Sequence, residues 1–143
     1  MPEPMAGRLV IHTDGAARGN PGPAGLGAVL RDADSGEVVA ELARYLGEQT
    51  NNVAEWTAVE DALEEALRRG ARQVDLRTDS QLVARQIMGQ YRVKHANLKP
   101  IHARVMALLR RFDSYTVGHV PRELNSHADQ LSNVAIDERR GWV

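Results

Sequence analysis

The chain has 143 residues, 43% hydrophobic and 26% charged, with no cysteine and a formal net charge of −1. That length and balance suit one globular domain with a proper core. They exclude disulfides and thiolate metal sites, and no apolar run approaches the ~20 residues of a membrane helix. The start, MPEPMAGR, lacks a signal-peptide pattern, so a cytoplasmic setting is expected, with no membrane partner. Arg8 to Asp14, rich in β-branched residues, reads as a first strand ending at an aspartate. A glycine- and proline-rich stretch follows, and Gly19-Asn20-Pro21-Gly22 supplies its turn. Leu26 to Asp32 and Val38 to Tyr45 read as two further strands, joined at Asp34-Ser35-Gly36 as in a hairpin. A helix is expected from about Asn52 to Arg69, stopped by Gly70. Gln73 to Asp79 is the next strand, and Gln81 to Met88 a short helix. After a basic loop come a helix from Ile101 to Phe112, a fifth strand from Tyr115 to Val120, and a last helix from near Ser126. An antiparallel hairpin followed by helical crossovers is an α/β pattern with a mixed sheet. One domain spans 1–143, with the ends 1–7 and 138–143 expected to be mobile and Trp142 a candidate to dock the tail on the sheet.

Charge is unevenly placed. From Ser80 to Phe112 there is no Asp or Glu, but there are Arg85, Arg92, Lys94, Lys99, Arg104, Arg110 and Arg111. Such a segment is either a solvated face or the electrostatic footprint of a polyanion binder. From Asp32 to Glu65 the balance reverses, with Arg44 the one basic residue.

Carboxylates fall where apolar residues would be expected. In the first long helix Ala58, Val59, Ala62, Leu63 and Ala66 form one stripe, and Glu55 lies within it. Glu55 is then either solvated near a favourable helix N-terminus or paired in a partly buried site. Asp14 and Asp79 both follow a threonine at an expected strand end, and sites in α/β sheets lie beyond such ends. Asp129 sits early in the last helix, beside Ala128 and Leu131. For any one aspartate a cap or turn is the ordinary role. Packed together, these acids would repel one another unless divalent cations bind. All-oxygen ligation points to Mg²⁺, with Mn²⁺ a substitute, and two ions about 4 Å apart suit phosphodiester hydrolysis. A nucleotide cradle is excluded: G-x-x-x-x-G-K-[ST] is missing, and the glycine-rich loop leads into a strand.

Four blocks, TDGAARGNPGPAG, TNNVAEWTAVEDAL, TDSQLV and VPRELNSHADQLSNVA, resemble type 1 ribonuclease H in kind and order. The resemblance implies the ribonuclease H-like fold: a five-stranded mixed sheet, its first three strands antiparallel, flanked by helices. It implies endonucleolytic cleavage of the RNA strand of an RNA–DNA hybrid, leaving 5′-phosphate and 3′-hydroxyl ends; a monomer is expected. It places the catalytic, metal-binding carboxylates at Asp14, Glu55, Asp79 and Asp129. It also places RNA contacts at Asn20, Asn51, Asn52 and the backbone of Gly15, Ala16 and Ala17, where a 2′-hydroxyl both donates and accepts. Helix capping is the alternative role for one of Asn51 and Asn52. Thr50 falls at a DNA-phosphate position, and Arg92, Lys94 and Lys99 at the DNA backbone. Two departures stand out. The family's loop histidine is missing, since only Pro121 to Leu124 separate Val120 from Asn125; Arg122 and Glu123 are the candidate auxiliaries, whereas His119 and His127 align poorly. The basic helical handle is also missing, because QYRVKHANLKP is too short for it. Tyr91 is either a sugar-packing or a core residue.

Integrases and resolvases share the fold and cluster their acids similarly, but the N-N-x-A-E and R-G-N-P-G-P-A-G blocks favour RNA-strand recognition. A silent hybrid-binding module is disfavoured by the complete acid set. A piece of a reverse-transcriptase polyprotein is the weakest rival, on the chain's start and length.

Overall fold

A computed structural model describes residues 7–141. Five strands form one sheet in the order β3-β2-β1-β4-β5: β1 (Arg8–Ala17), β2 (Gly22–Asp32), β3 (Val38–Gln49), β4 (Gln73–Thr78) and β5 (Ser114–His119). The first three pair antiparallel, and β4 joins β1 and β5 in parallel. The helices are α1 (Asn51–Arg68), α2 (Gln81–Ile87), α3 (Lys99–Leu109) and α4 (Ser126–Glu138), with a 3₁₀ turn at Arg122–Asn125 before the last.

Strand alternation divides the apolar residues between two faces. Leu9, Ile11, Ala28 and Leu30 bury against α1, α2 and α3 together with Trp56, Leu63 and Val105. Val29 and Ala43 turn the other way and meet Ala128, Leu131 and Ala135 of α4. The sheet is thus sandwiched unevenly, three helices to one. Among the described residues the element order matches the sequence reading.

Several boundaries differ. The three N-terminal strands are longer than expected, because the glycine-rich stretch read as a loop is paired sheet: Asp14↔Gly27 through Ala17↔Ala24, then Gly22↔Gln49. Gly, Ala and Pro have low strand propensity, and pairing with neighbours overrides it here. Only Arg18 to Pro21 remain as the connection. Asp14 therefore does not end β1; what ends there is the parallel ladder with β4. The cap of α1 is neither asparagine but Thr50, whose Oγ1 accepts from the Val53 amide at 3.2 Å. Gly70, at φ +79°, follows the helix end as expected. Of the ends expected to be mobile, Gly7 accepts amide hydrogen bonds from Arg72 and Gln73, and Arg140 accepts one from Tyr45. Trp142 lies outside the described residues.

Candidate active site

Thr13 and Thr78 form the last rung of the parallel ladder, so Asp14 and Asp79 emerge side by side. Glu55 reaches them because α1 lies almost on β1 at Gly15. A Cβ on Gly15 would sit 2.3 Å from the Ala54 carbonyl carbon and 2.4 Å from the Glu55 nitrogen. Gly27, which pairs with Asp14, does the same for α4: its Cβ would stand 2.2 Å from the Ala128 carbonyl oxygen. Two glycines thus let both helices approach and present Glu55 and Asp129 from opposite faces of the sheet.

Carboxylate oxygens of Asp14, Glu55 and Asp79 all lie within 4.8 Å of one another. Asp129 stands outside that trio, yet lines the same cleft of about 330 Å³, with Asn51 and Arg122 also on its wall. Asp14 is pushed up to about 8, first by burial and then by the charge of Asp79, by a hydrogen bond to Asp129, and by Glu55. Glu55 is pushed up to about 7 by burial and by Asp79, against the opposing pull of a Ser80 hydrogen bond and Arg122. The protein holds together acids that resist ionising together, an arrangement that could accommodate divalent cations. The donors are all hard oxygens, and they fit Mg²⁺ or Mn²⁺.

Neighbouring groups brace the acids. Asn125 is buried and donates from Nδ2 to the Thr13 carbonyl at 2.8 Å, tying the start of α4 to the strand just before Asp14. Ser132, also buried, places its hydroxyl 2.7 Å from the Asp129 carbonyl and 3.4 Å from Asp14 Oδ2. Neither residue was singled out from sequence, since a buried Asn or Ser has no periodic signature of its own.

Beside the acids run two further clefts. One, of about 370 Å³, is walled by Asn20, Thr50, Asn51, Asn52, His95 and Asn97. The next, of about 490 Å³, adds Tyr91, Arg92 and Lys94 and shares Asn52 and His95. The asparagines are interlocked: Asn20 Oδ1 accepts from the Asn51 amide at 3.1 Å, and Asn51 Oδ1 accepts from the Ala17 amide at 2.8 Å. Gly15 and Ala16 line the acid cleft itself. Lys99, on the first turn of α3, lines none of the three clefts. Glu123 is exposed on the 3₁₀ turn and does not line the acid cleft. His127 is engaged elsewhere, between Glu41 and Arg31, and His119 is exposed at the end of β5. Tyr91 is exposed, not a core residue, with its hydroxyl accepting from Arg85 at 2.7 Å. The basic segment is also less uniform than its sequence: Arg104 pairs with Glu60 across to α1, while Arg92 and Lys94 face the groove. His95 and Asn97 were missed, because only the fold carries their loop to Asn52.

Residues 12–135 match the family described as Reverse transcriptase-like. A bifunctional protein of Mycobacterium tuberculosis is 42% identical over 130 residues, which is 91% of this chain and 36% of that protein. Ribonuclease HI of Halobacterium salinarum is 44% identical over 92% of this chain and 66% of its own length. The chain therefore spans between about a third and two thirds of these relatives. The crystal structure of the Halobacterium salinarum RNase H1 superposes with a TM-score of 0.89, covering 92% of this chain and 99% of that one. LC11-RNase H1, solved in complex with an RNA/DNA hybrid, is 42% identical with a TM-score of 0.86, covering 92% and 98% of the two chains.

Proposed function

The chain belongs to the type 1 ribonuclease H family, and from that premise we propose that it hydrolyses the RNA strand of RNA–DNA hybrids, leaving 5′-phosphate and 3′-hydroxyl ends. The observation that carries this reading is the meeting of Asp14, Glu55 and Asp79 within 4.8 Å, beside a groove walled by four asparagines. These three carboxylates, with Asp129 hydrogen-bonded to Asp14 in the same cleft, would hold Mg²⁺, or Mn²⁺ in its place. When bound, the ions supply an activated water and neutralise charge at the leaving oxygen.

The chain's own residues do the rest. Asn20 and Asn51 already use their Oδ1 atoms on backbone amides, which leaves their Nδ2 donors for ribose 2′-oxygens; Asn52 and the backbone of Gly15, Ala16 and Ala17 extend the same contact along the RNA strand. Deoxyribose offers no such oxygen, so this face selects RNA. Thr50, Arg92 and Lys94, which wall the grooves, steady phosphates of the DNA strand, with Lys99 placed outside them on the first turn of α3. Arg122, on the wall of the acid cleft, holds the phosphate being cut; with Glu123 outside that cleft, Arg122 is the auxiliary group where the family pattern has a loop histidine.

The deciding experiment is one labelled duplex prepared as RNA–DNA, RNA–RNA and DNA–DNA, incubated with and without Mg²⁺. Cleavage of the RNA strand in the hybrid, dependent on Mg²⁺, is expected. Equal cutting of the DNA duplex would overturn the asparagine reading, and cutting undiminished by chelation would overturn the metal site.

A further inference from the structure

Residues 88–98 form neither helix nor strand, yet they carry Arg92 and Lys94 into the groove of about 490 Å³. A long loop of this kind is ordinarily mobile. This one is pinned at several points. Val93 packs against the main core and Leu98 is buried in it. Arg85 stacks on the Tyr91 ring at 5.3 Å and donates to its hydroxyl. The central pin is Gln86, in the last turn of α2 and 7% exposed. Its Oε1 accepts from the Trp56 indole at 3.1 Å, and its Nε2 donates to the Arg92 carbonyl at 3.1 Å. Trp56 is fully buried and is the residue after Glu55. One side chain therefore connects the helix holding a catalytic carboxylate to the loop holding two groove cations.

We propose that Gln86 is a positioning residue for the DNA strand: through its two hydrogen bonds it fixes the 88–98 loop, so that Arg92 and Lys94 stand preformed in the groove. This deepens the hybrid-cleavage reading and rests on it. A loop ordered in advance binds without the entropic cost of ordering on contact. Released from Gln86, the loop must be ordered by the hybrid itself, so binding weakens while the chemistry at the carboxylates is untouched.

Two variants separate the two bonds. Gln86→Glu keeps an acceptor for Trp56 and loses the donor to Arg92; Gln86→Met fills the space and loses both. Each is expected to raise KM for the hybrid about 3- to 10-fold, in keeping with loss of the buried hydrogen bond that both variants give up, the one to the Arg92 carbonyl. The value of kcat should stay within about twofold, and the salt dependence of binding should lose about one unit of slope per phosphate contact released. A purely structural role would instead lower the active fraction, so that kcat falls at constant KM; that result overturns the proposal. Retention of wild-type KM by Gln86→Glu overturns it as well, since the Trp56 bond alone would then suffice. Hydrogen exchange supplies a readout independent of activity: amides of 88–94 should exchange faster in both variants, and unchanged exchange refutes the pin. Wild-type protein that leaves the hybrid intact would sink the functional reading instead, with the exchange result still deciding the role of Gln86.

Discussion

Thr13 and Thr78 are partners in the final rung between β1 and β4, and that single pairing is what sets Asp14 beside Asp79. Two Thr-Asp pairs separated by more than sixty residues of chain become one wall of one cleft. The pairing is parallel, so both aspartates leave the ladder in the same direction. An antiparallel arrangement would have sent them to opposite ends of the sheet.

The Asp79→Asn variant should lose hybrid cleavage by at least about a thousandfold while melting within a few degrees of the parent. Asparagine keeps the shape and removes the charge that a cation needs. Substantial activity in this variant, measured on a labelled hybrid in Mg²⁺, would show that the carboxylate cluster is not the reaction centre.

Without divalent ions, stability should fall as the pH rises from about 4 to 8. Asp14 and Glu55 are both raised in the folded state, to about 8 and about 7. Well below pH 3 each carries its proton in both states and costs nothing. As pH rises the unfolded chain ionises first, and the folded state loses stability until these groups ionise too. Glu65 and Asp75 are held below their usual range by arginine partners, so their contribution is complete before this window opens. His12, lowered chiefly by burial, works in the opposite sense, gaining stability as pH rises. Comparison with Asp14→Asn isolates the aspartate: that variant should be more stable than wild type at pH 8 by on the order of 2 kcal/mol and nearly equal at pH 4. Mg²⁺ should remove most of the difference. Thermal melts at both pH values, with and without EDTA, measure it; equal wild-type and variant curves at pH 8 would contradict the geometry of the acid cluster.

Gly15→Ala should destabilise the fold by about 2–4 kcal/mol and depress activity further than stability explains. Its Cβ would collide with the α1 backbone at Ala54 and Glu55, and the cheapest relief moves Glu55 away from Asp14. Gly118→Ala is the matched control, because a Cβ there meets nothing within 4 Å. It should stay within about 0.5 kcal/mol of wild type. Similar melting temperatures for the two variants would refute the close approach of α1 to β1.

Much of this is legible in the sequence. Element order followed from periodicity and punctuation, because Gly70 and the Asp34-Ser35-Gly36 turn interrupt strong local patterns. Glu55 declared itself by standing in an apolar stripe. The limits of the strands did not, since nothing local in GAARGNPGPAG says that its glycines and alanines are paired sheet.

By itself, the sequence determined the kinds of element, their order, and a set of acids with no apolar reason to be where they are. These are short-range properties: hydrophobic period, caps and turns each depend on a few neighbouring residues. Tertiary structure decided which acids meet. It set Asp14, Glu55 and Asp79 together, with Asp129 against Asp14, gave the cap of α1 to Thr50, and separated Arg92 from Arg104 within one basic segment. It also made Gln86 a strut between Trp56 and Arg92. Those outcomes depend on register and on how closely backbones approach, quantities fixed only when distant segments pack against one another.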